Sequence, residues 1–361
     1  MADIPKTMTG AILPGNSTAE LKTFEVPEPG HGEVLLKTKS STICGSDIRC
    51  IYRDHVGEGP EAYQPGTVAG HEPAGQIIKC GPGLRRFKEG DRVAVYHISG
   101  CGVCNDCRRG YMISCTSEWR RAYGWQRNGG MAEYILAEEK DLVELPDNLT
   151  YADGSQLACG FGTVYEGLDK IGISGNDVVL VTGLGPVGLA TCMISKALGA
   201  SGVIGIDVVE ERMQLAKDKG LADEVLQAGP DNVEQVRKLT GGKGSERAVD
   251  CSANEKGRAT CIKATRPWAK ICLIGEGGSC SFEASDDVIH AQKTIYGSWV
   301  TSIWRLEEAA ERISRWGIRP DELVTHRFPL EKADEAYSLM ASGKCGKVAV
   351  VFDEEADQQL S

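Results

Sequence analysis

Three groups of residues in this chain could do chemistry. The first is Cys101, Cys104, Cys107 and Cys115, spaced C-x2-C-x2-C-x7-C. Thiolates this close can wrap one tetrahedral ion, and zinc takes four sulfurs in closed structural sites. An iron–sulfur cluster fits the same ligand type, and unligated loop thiols are the plain alternative. Four sulfurs leave no coordination position open, so an ion here would be structural.

The second group is built on Gly70-His71-Glu72-Pro73-Ala74-Gly75, with Gly81 beyond it. A neutral imidazole can ligate a divalent ion. A His-Glu pair by itself reads more often as surface polarity. A soft ligand lies upstream, Cys44 in Ile43-Cys44-Gly45-Ser46-Asp47, and another downstream, Cys159 in Ala158-Cys159-Gly160-Phe161. A catalytic zinc takes three protein ligands and keeps a fourth position open. Cys44, His71 and Cys159 could supply the three, with Glu72 or water as the fourth. Taken singly, Cys44 and Cys159 read as core thiols. That is the reading for Cys192, Cys251, Cys261 and Cys272, which sit in strand or helix patterns. His31, His290 and His326 read as surface or packing residues.

The third group is Gly183-Leu184-Gly185-Pro186-Val187-Gly188, a G-x-G-x-x-G loop. It follows the apolar run 178–181 and precedes a helical run, 189–198. Asp207 stands nineteen residues past Gly188, at the end of the next apolar run. This is the setting a dinucleotide fingerprint requires. The loop would admit a pyrophosphate to a helix N-terminus, where free N–H groups favour an anion. Asp207 would accept ribose hydroxyls and repel a 2′-phosphate, which predicts NAD. A glycine turn in a nucleotide-free fold is the alternative.

The elements that position these groups fall into two textures. Residues 1–156 read as β-rich, with strand signals at 8–13, 33–39, 76–78 and 91–95 between glycine and proline turns. An irregular, barrel-like β domain is expected there, carrying the cysteine lobe 100–116. Residues 157–296 alternate strands (178–181, 203–206, 248–249, 271–274) with helices (210–219, 232–239), which implies a doubly wound parallel sheet. The segment 297–361 holds an amphipathic helix near 306–316. It also holds a strand, 347–352, expected to fold back onto the first domain, and an acidic tail, 354–361.

Composition narrows the function. A chain of 361 residues exceeds one compact core. A net charge of −11 argues against nucleic acid or an anionic membrane as partner. No apolar run reaches membrane-spanning length, and no secretory leader is visible at the N-terminus. Fourteen cysteines in such a chain fit a reducing cytoplasm, where clustered thiols read as metal ligands.

In this order, the Cys44-Gly45-Ser46-Asp47 and Gly70-His71-Glu72 motifs, the four-cysteine lobe, Cys159-Gly160-Phe161 and the 183–188 loop resemble one family. It is the zinc-dependent alcohol dehydrogenases of the medium-chain dehydrogenase/reductase superfamily, and the resemblance covers nearly the whole chain. It implies a GroES-like irregular β-barrel catalytic domain and a Rossmann nucleotide domain. It implies two zinc ions, a catalytic one on Cys44, His71 and Cys159 with Glu72 able to enter its shell, and a structural one on the lobe. Sorbitol-dehydrogenase-like members use a glutamate near the position of Cys159. Asp207 and Arg212 would contact the adenosine ribose of NAD, and Lys347 the pyrophosphate. Ser46 would take the substrate proton first. Arg49 stands where the family's relay ends in a histidine, and an arginine stays protonated. His97 would line the substrate pocket, shuttle a proton near neutral pH and favour a polar substrate; a strand-end packing histidine is the alternative. Pocket loops are expected at 51–63, 118–125 and 299–304.

The implied reaction is reversible hydride transfer from a secondary or polyhydroxy alcohol to NAD, in a homo-oligomer, a tetramer rather than a dimer. Two other readings stand beside it: a threonine-dehydrogenase-like enzyme on an amino alcohol, and a non-catalytic zinc- and NAD-binding redox sensor.

Overall fold

The run Lys347–Val351 is apolar after its first residue and buried throughout. A strand buried on both faces must lie inside a sheet rather than at its rim. It pairs in parallel with Val324–Phe328 and antiparallel with Glu33–Thr42. The sheet continues through Glu72–Cys80, Arg92–Val95 and Leu142–Glu144, and Tyr134–Glu138 also pairs with Glu33–Thr42. The C-terminal strand thus lies in the same sheet as Glu33–Thr42. Val34, Leu36, Ile77, Val93, Val95 and Ile135 form the core of this sheet. The structure is a computed structural model and describes residues 4–57 and 62–353. The acidic tail 354–361, and 58–61 of the first pocket loop, lie outside the described residues.

The alternating region forms a six-stranded, all-parallel sheet. Its order is Glu224–Gln227, Gly202–Asp207, Val178–Thr182, Ser245–Asp250, Thr265–Leu273, Thr294–Gly297. The order reverses beside Val178–Thr182, and such switch points are where ligands dock in open α/β sheets. The sequence reading missed Glu224–Gln227 and Thr294–Gly297. Both are short and only half-buried, so neither shows a continuous apolar run.

The helix Ile303–Trp316 follows from its caps and spacing. Ser302 caps its start by accepting the N–H of Arg305 at 3.3 Å, and Gly317 ends it in the left-handed region. Leu306, Ala309, Ala310 and Ile313 form its buried stripe.

The chain divides into two compact units. One comprises Met1–Cys159, Ser302–Ser342 and Lys347–Ser361; the other comprises Gly160–Thr301 and Gly343–Gly346. A π-helical turn, Leu157–Phe161, carries the chain from the first to the second. Among the described residues, no helix is long and apolar enough to cross a membrane.

Candidate metal and dinucleotide sites

Cys44 lies two residues past the strand Glu33–Thr42 and caps the short turn Gly45–Asp47. Asp47 stands at the third position of that turn and accepts the Cys44 N–H through Oδ2 at 2.9 Å. Its other oxygen, Oδ1, lies 2.7 Å from His71 Nδ1. Both side chains are buried. Nδ1–H donation to Asp47 leaves His71 Nε2 as the ligating nitrogen, the usual orientation of a metal-binding histidine. Gly70 precedes it at φ +85°, where a Cβ would also meet Met131 Cγ at 2.6 Å, so glycine is required there.

Cys44, His71, Glu72 and Cys159 each offer a ligand atom, all within 4.8 Å of one another. Hydrogen bonding from Cys159 holds the Cys44 thiol well below its ordinary pKa, and the same contact pushes Cys159 well above it. Two thiols sharing a proton in this way would both ligate once a cation replaced it. Glu72 is fully buried. Its Oε2 accepts from Thr42 Oγ1 at 2.6 Å and from Lys347 Nζ at 2.5 Å. Its Oε1 is buried with no hydrogen-bond partner among the described residues. A buried carboxylate oxygen left unpaired is costly unless something electropositive meets it. The donor set and this orphaned oxygen fit a divalent ion.

His97 also reaches this cluster. Its ring centroid lies 5.0 Å from that of His71, and its Nδ1 donates to the carbonyl of Ala158 at 2.9 Å. That bond leaves Nε2 as an acceptor. Burial first, and His71 second, lower its pKa to about 3. An imidazole held this low is neutral across the neutral range, which speaks against the expected shuttle near neutrality. Ser46 sits part-buried in the turn after Cys44. Arg49 is exposed on the next turn.

Lys347, expected on a pyrophosphate, is 2% exposed here and pairs with Glu72. Burial works against its charge, and Glu72 together with Cys44 and Cys159 outweighs that, holding the ammonium above its usual pKa. Thr42, Asp47 and Lys347 are functional candidates the sequence reading did not assign to this cluster. For Asp47 a signal existed: an acid three residues after Cys44 has capping-box spacing.

The lobe cysteines also converge, with ligand atoms within 4.8 Å. The N–H of Cys104 donates to Cys101 Sγ at 3.4 Å, and that of Cys107 to Cys104 Sγ at 3.5 Å. Backbone N–H groups of Val103 and Cys104 lower the Cys101 pKa to about 6. Burial raises that of Cys107 to about 12. None of the fourteen cysteines is in a disulfide. Cys192, Cys261 and Cys272 are buried in the core, as expected.

In the second unit, the 183–188 loop joins Val178–Thr182 to the helix Pro186–Ala197, with proline at the first helical position. A Cβ on Gly188 would stand 1.7 Å from the Gly183 carbonyl, so only glycine closes this turn. Asp207 Oδ2 accepts the N–H of Leu184 in that loop, and Oδ1 those of Val208 and Val209 at 2.6 and 2.8 Å. The carboxylate thus latches the loop to the end of the second strand. Arg212 lies over the loop: a Cβ on Gly185 would stand 3.5 Å from its Nη1. Its Nε is buried without a hydrogen-bond partner.

Comparison with known proteins matches two family models in succession. Residues 30–147 match the alcohol dehydrogenase GroES-like domain, and 186–315 the zinc-binding dehydrogenase model. The chain is 51% identical to the "uncharacterized zinc-type alcohol dehydrogenase-like protein YphC" of Escherichia coli (strain K12), over 96% of this chain and 99% of that one. The chain belongs to the zinc-type alcohol dehydrogenase family. It is 33% identical to an L-threonine 3-dehydrogenase of Pyrococcus horikoshii, over 92% and 95% of the two chains. A solved alcohol dehydrogenase (rspB) of E. coli CFT073, described as complexed with NADH, superposes with a TM-score of 0.84. It is 26% identical and covers 96% of this chain and 100% of its own. As a member, this chain is an oxidoreductase of alcohols that uses zinc and NAD.

Proposed function

We propose that this chain oxidises a secondary or polyhydroxy alcohol to the ketone, reversibly, with NAD as acceptor. The observation that carries this is the convergence of Cys44, His71, Glu72 and Cys159 around an orphaned buried oxygen. Cys44, His71 and Cys159 would hold the catalytic ion, and the four lobe cysteines the structural one. When bound, the ion would supply Lewis-acid polarisation of the alcohol oxygen, and the dinucleotide the hydride acceptor. Asp47 orients His71. Ser46, two residues from Cys44, takes the substrate proton and passes it on, since a hydroxyl both accepts and donates. His97 presents a neutral acceptor nitrogen to a second hydroxyl of the substrate. Gly183, Gly185, Pro186, Val187 and Gly188 cradle the pyrophosphate. Asp207 latches that loop and faces the adenosine ribose, with Arg212 beside it.

A neutral acceptor in the pocket favours a polyol over a simple alcohol. The 33% identity to a threonine dehydrogenase supports a second reading, an amino alcohol as substrate. Following NADH absorbance with polyols, short and cyclic alcohols, and threonine separates the two. Turnover of threonine alone would overturn the first. A redox-sensor role would show as no turnover with any alcohol. The division into a catalytic domain 1–156, a nucleotide domain 157–296 and a returning segment 297–361 belongs to the same proposal. So do a homotetrameric state and a cytoplasmic location, the latter supported by fourteen free thiols.

A further inference from the structure

Three adjacent strands build one side of the metal cluster. Thr42 is paired with Glu72 in register, and Ala349 with Thr42. Lys347 lies two residues before Ala349, so it shares that face of the sheet. The side chains of Lys347, Thr42 and Glu72 therefore meet across the row. Thr42 and Lys347 both donate to Oε2 of Glu72, at 2.6 and 2.5 Å. Oε1 has no partner.

We infer that Lys347 is a positioning residue that restrains Glu72 and keeps the fourth coordination position of the metal available to substrate. The inference rests on the metal-centre reading above. A buried carboxylate has no water to turn to, so its position is set by competition between the cations it can reach. Here those are the Lys347 ammonium and the ion held by Cys44, His71 and Cys159. Thr42 adds a neutral hydrogen bond on the Lys347 side. With Lys347 in place, Glu72 is drawn to the strand and acts only as a reserve ligand. Without it, the ion becomes the sole strong cation in reach, and the carboxylate closes onto it. The buried lysine, expensive to desolvate, is then explained by what it prevents.

The test uses the full-length protein loaded with zinc, or with cobalt as a spectroscopic substitute. In Lys347→Met the visible cobalt bands should shift, as the Glu72 carboxylate takes the fourth position in place of water. Release of the catalytic zinc to a chromophoric chelator should slow by about tenfold, because a fourth protein ligand must also dissociate; changes around a metal's ligands move affinity on this scale. Lys347→Gln should move both readouts in the same direction, and Lys347→Arg should stay near the original. Combined with Glu72→Gln, Lys347→Met should add nothing beyond Glu72→Gln alone. Unchanged bands and release in both neutral variants would overturn the inference. So would a Lys347→Met effect of full size in the Glu72→Gln background. A protein that binds zinc only in its four-cysteine lobe would instead overturn the metal-centre reading itself.

Discussion

Removing Asp47 should weaken both the fold and the hold on metal. The carboxylate is fully buried and accepts two donors, His71 Nδ1–H at 2.7 Å and the Cys44 N–H at 2.9 Å. Asp47→Ala orphans both. Each buried donor left unpaired costs about 1–3 kcal/mol, so the expected loss is about 2–6 kcal/mol. That is a large part of a typical total stability of ~5–15 kcal/mol. Asp47→Asn keeps the shape, but its amide offers one oxygen where two acceptors are needed, so about half that loss remains. Freed of its partner, the His71 ring can turn away from the ion. A carboxylate behind a metal histidine is worth about 10–100-fold in affinity. Urea unfolding with and without zinc measures the first effect, and competition with a chelator the second. The reasoning is refuted if Asp47→Asn keeps the original zinc affinity and the original unfolding midpoint.

Other outcomes follow from the same geometry. Ser46→Ala should cut turnover by about a hundredfold with little change in zinc content, the scale of a proton-transfer group. His97→Phe should shift preference toward less polar alcohols and leave the pH profile of turnover unchanged from pH 5 to 9, because the ring is neutral down to about pH 3. His97 has a depressed folded pKa, so its linkage runs one way. Below about pH 6.5 the unfolded chain takes a proton that the folded chain refuses, and stability falls by about 1.4 kcal/mol per pH unit. Denaturant titrations should show that slope shallower in His97→Phe. Catalytic efficiency with NAD should exceed that with NADP by about a hundredfold or more, since a phosphate brought against Asp207 meets a like charge; equal efficiencies would mean that Asp207 does not select.

Chemistry carried by contiguous residues was legible in the sequence. The 183–188 loop announced itself because strand, glycines and helix lie in one stretch, and the lobe cysteines because all four fall within a short span. Cys44 and Cys159 were ambiguous until the order of motifs placed them with His71. The support of Glu72 could not be read. Thr42, Glu72 and Lys347 meet only because the C-terminal strand enters the sheet beside Glu33–Thr42, a pairing that no local pattern encodes. His97 was legible only in part. Its place near the metal was expected, but its protonation depends on burial and on the Ala158 carbonyl, both set by tertiary packing. Asp47 lay in plain view, and reading its spacing as a cap would have found it.

Two zinc ions per chain, with separate duties, are the core of this site's chemistry. Metal analysis of the purified protein, paired with NADH-linked turnover, tests this most directly. The active protein should hold two zinc ions per chain. His71→Ala should hold one, stay folded and lose turnover, and Cys104→Ala should lose the other zinc and unfold more readily. Full activity with one zinc or none would contradict the account.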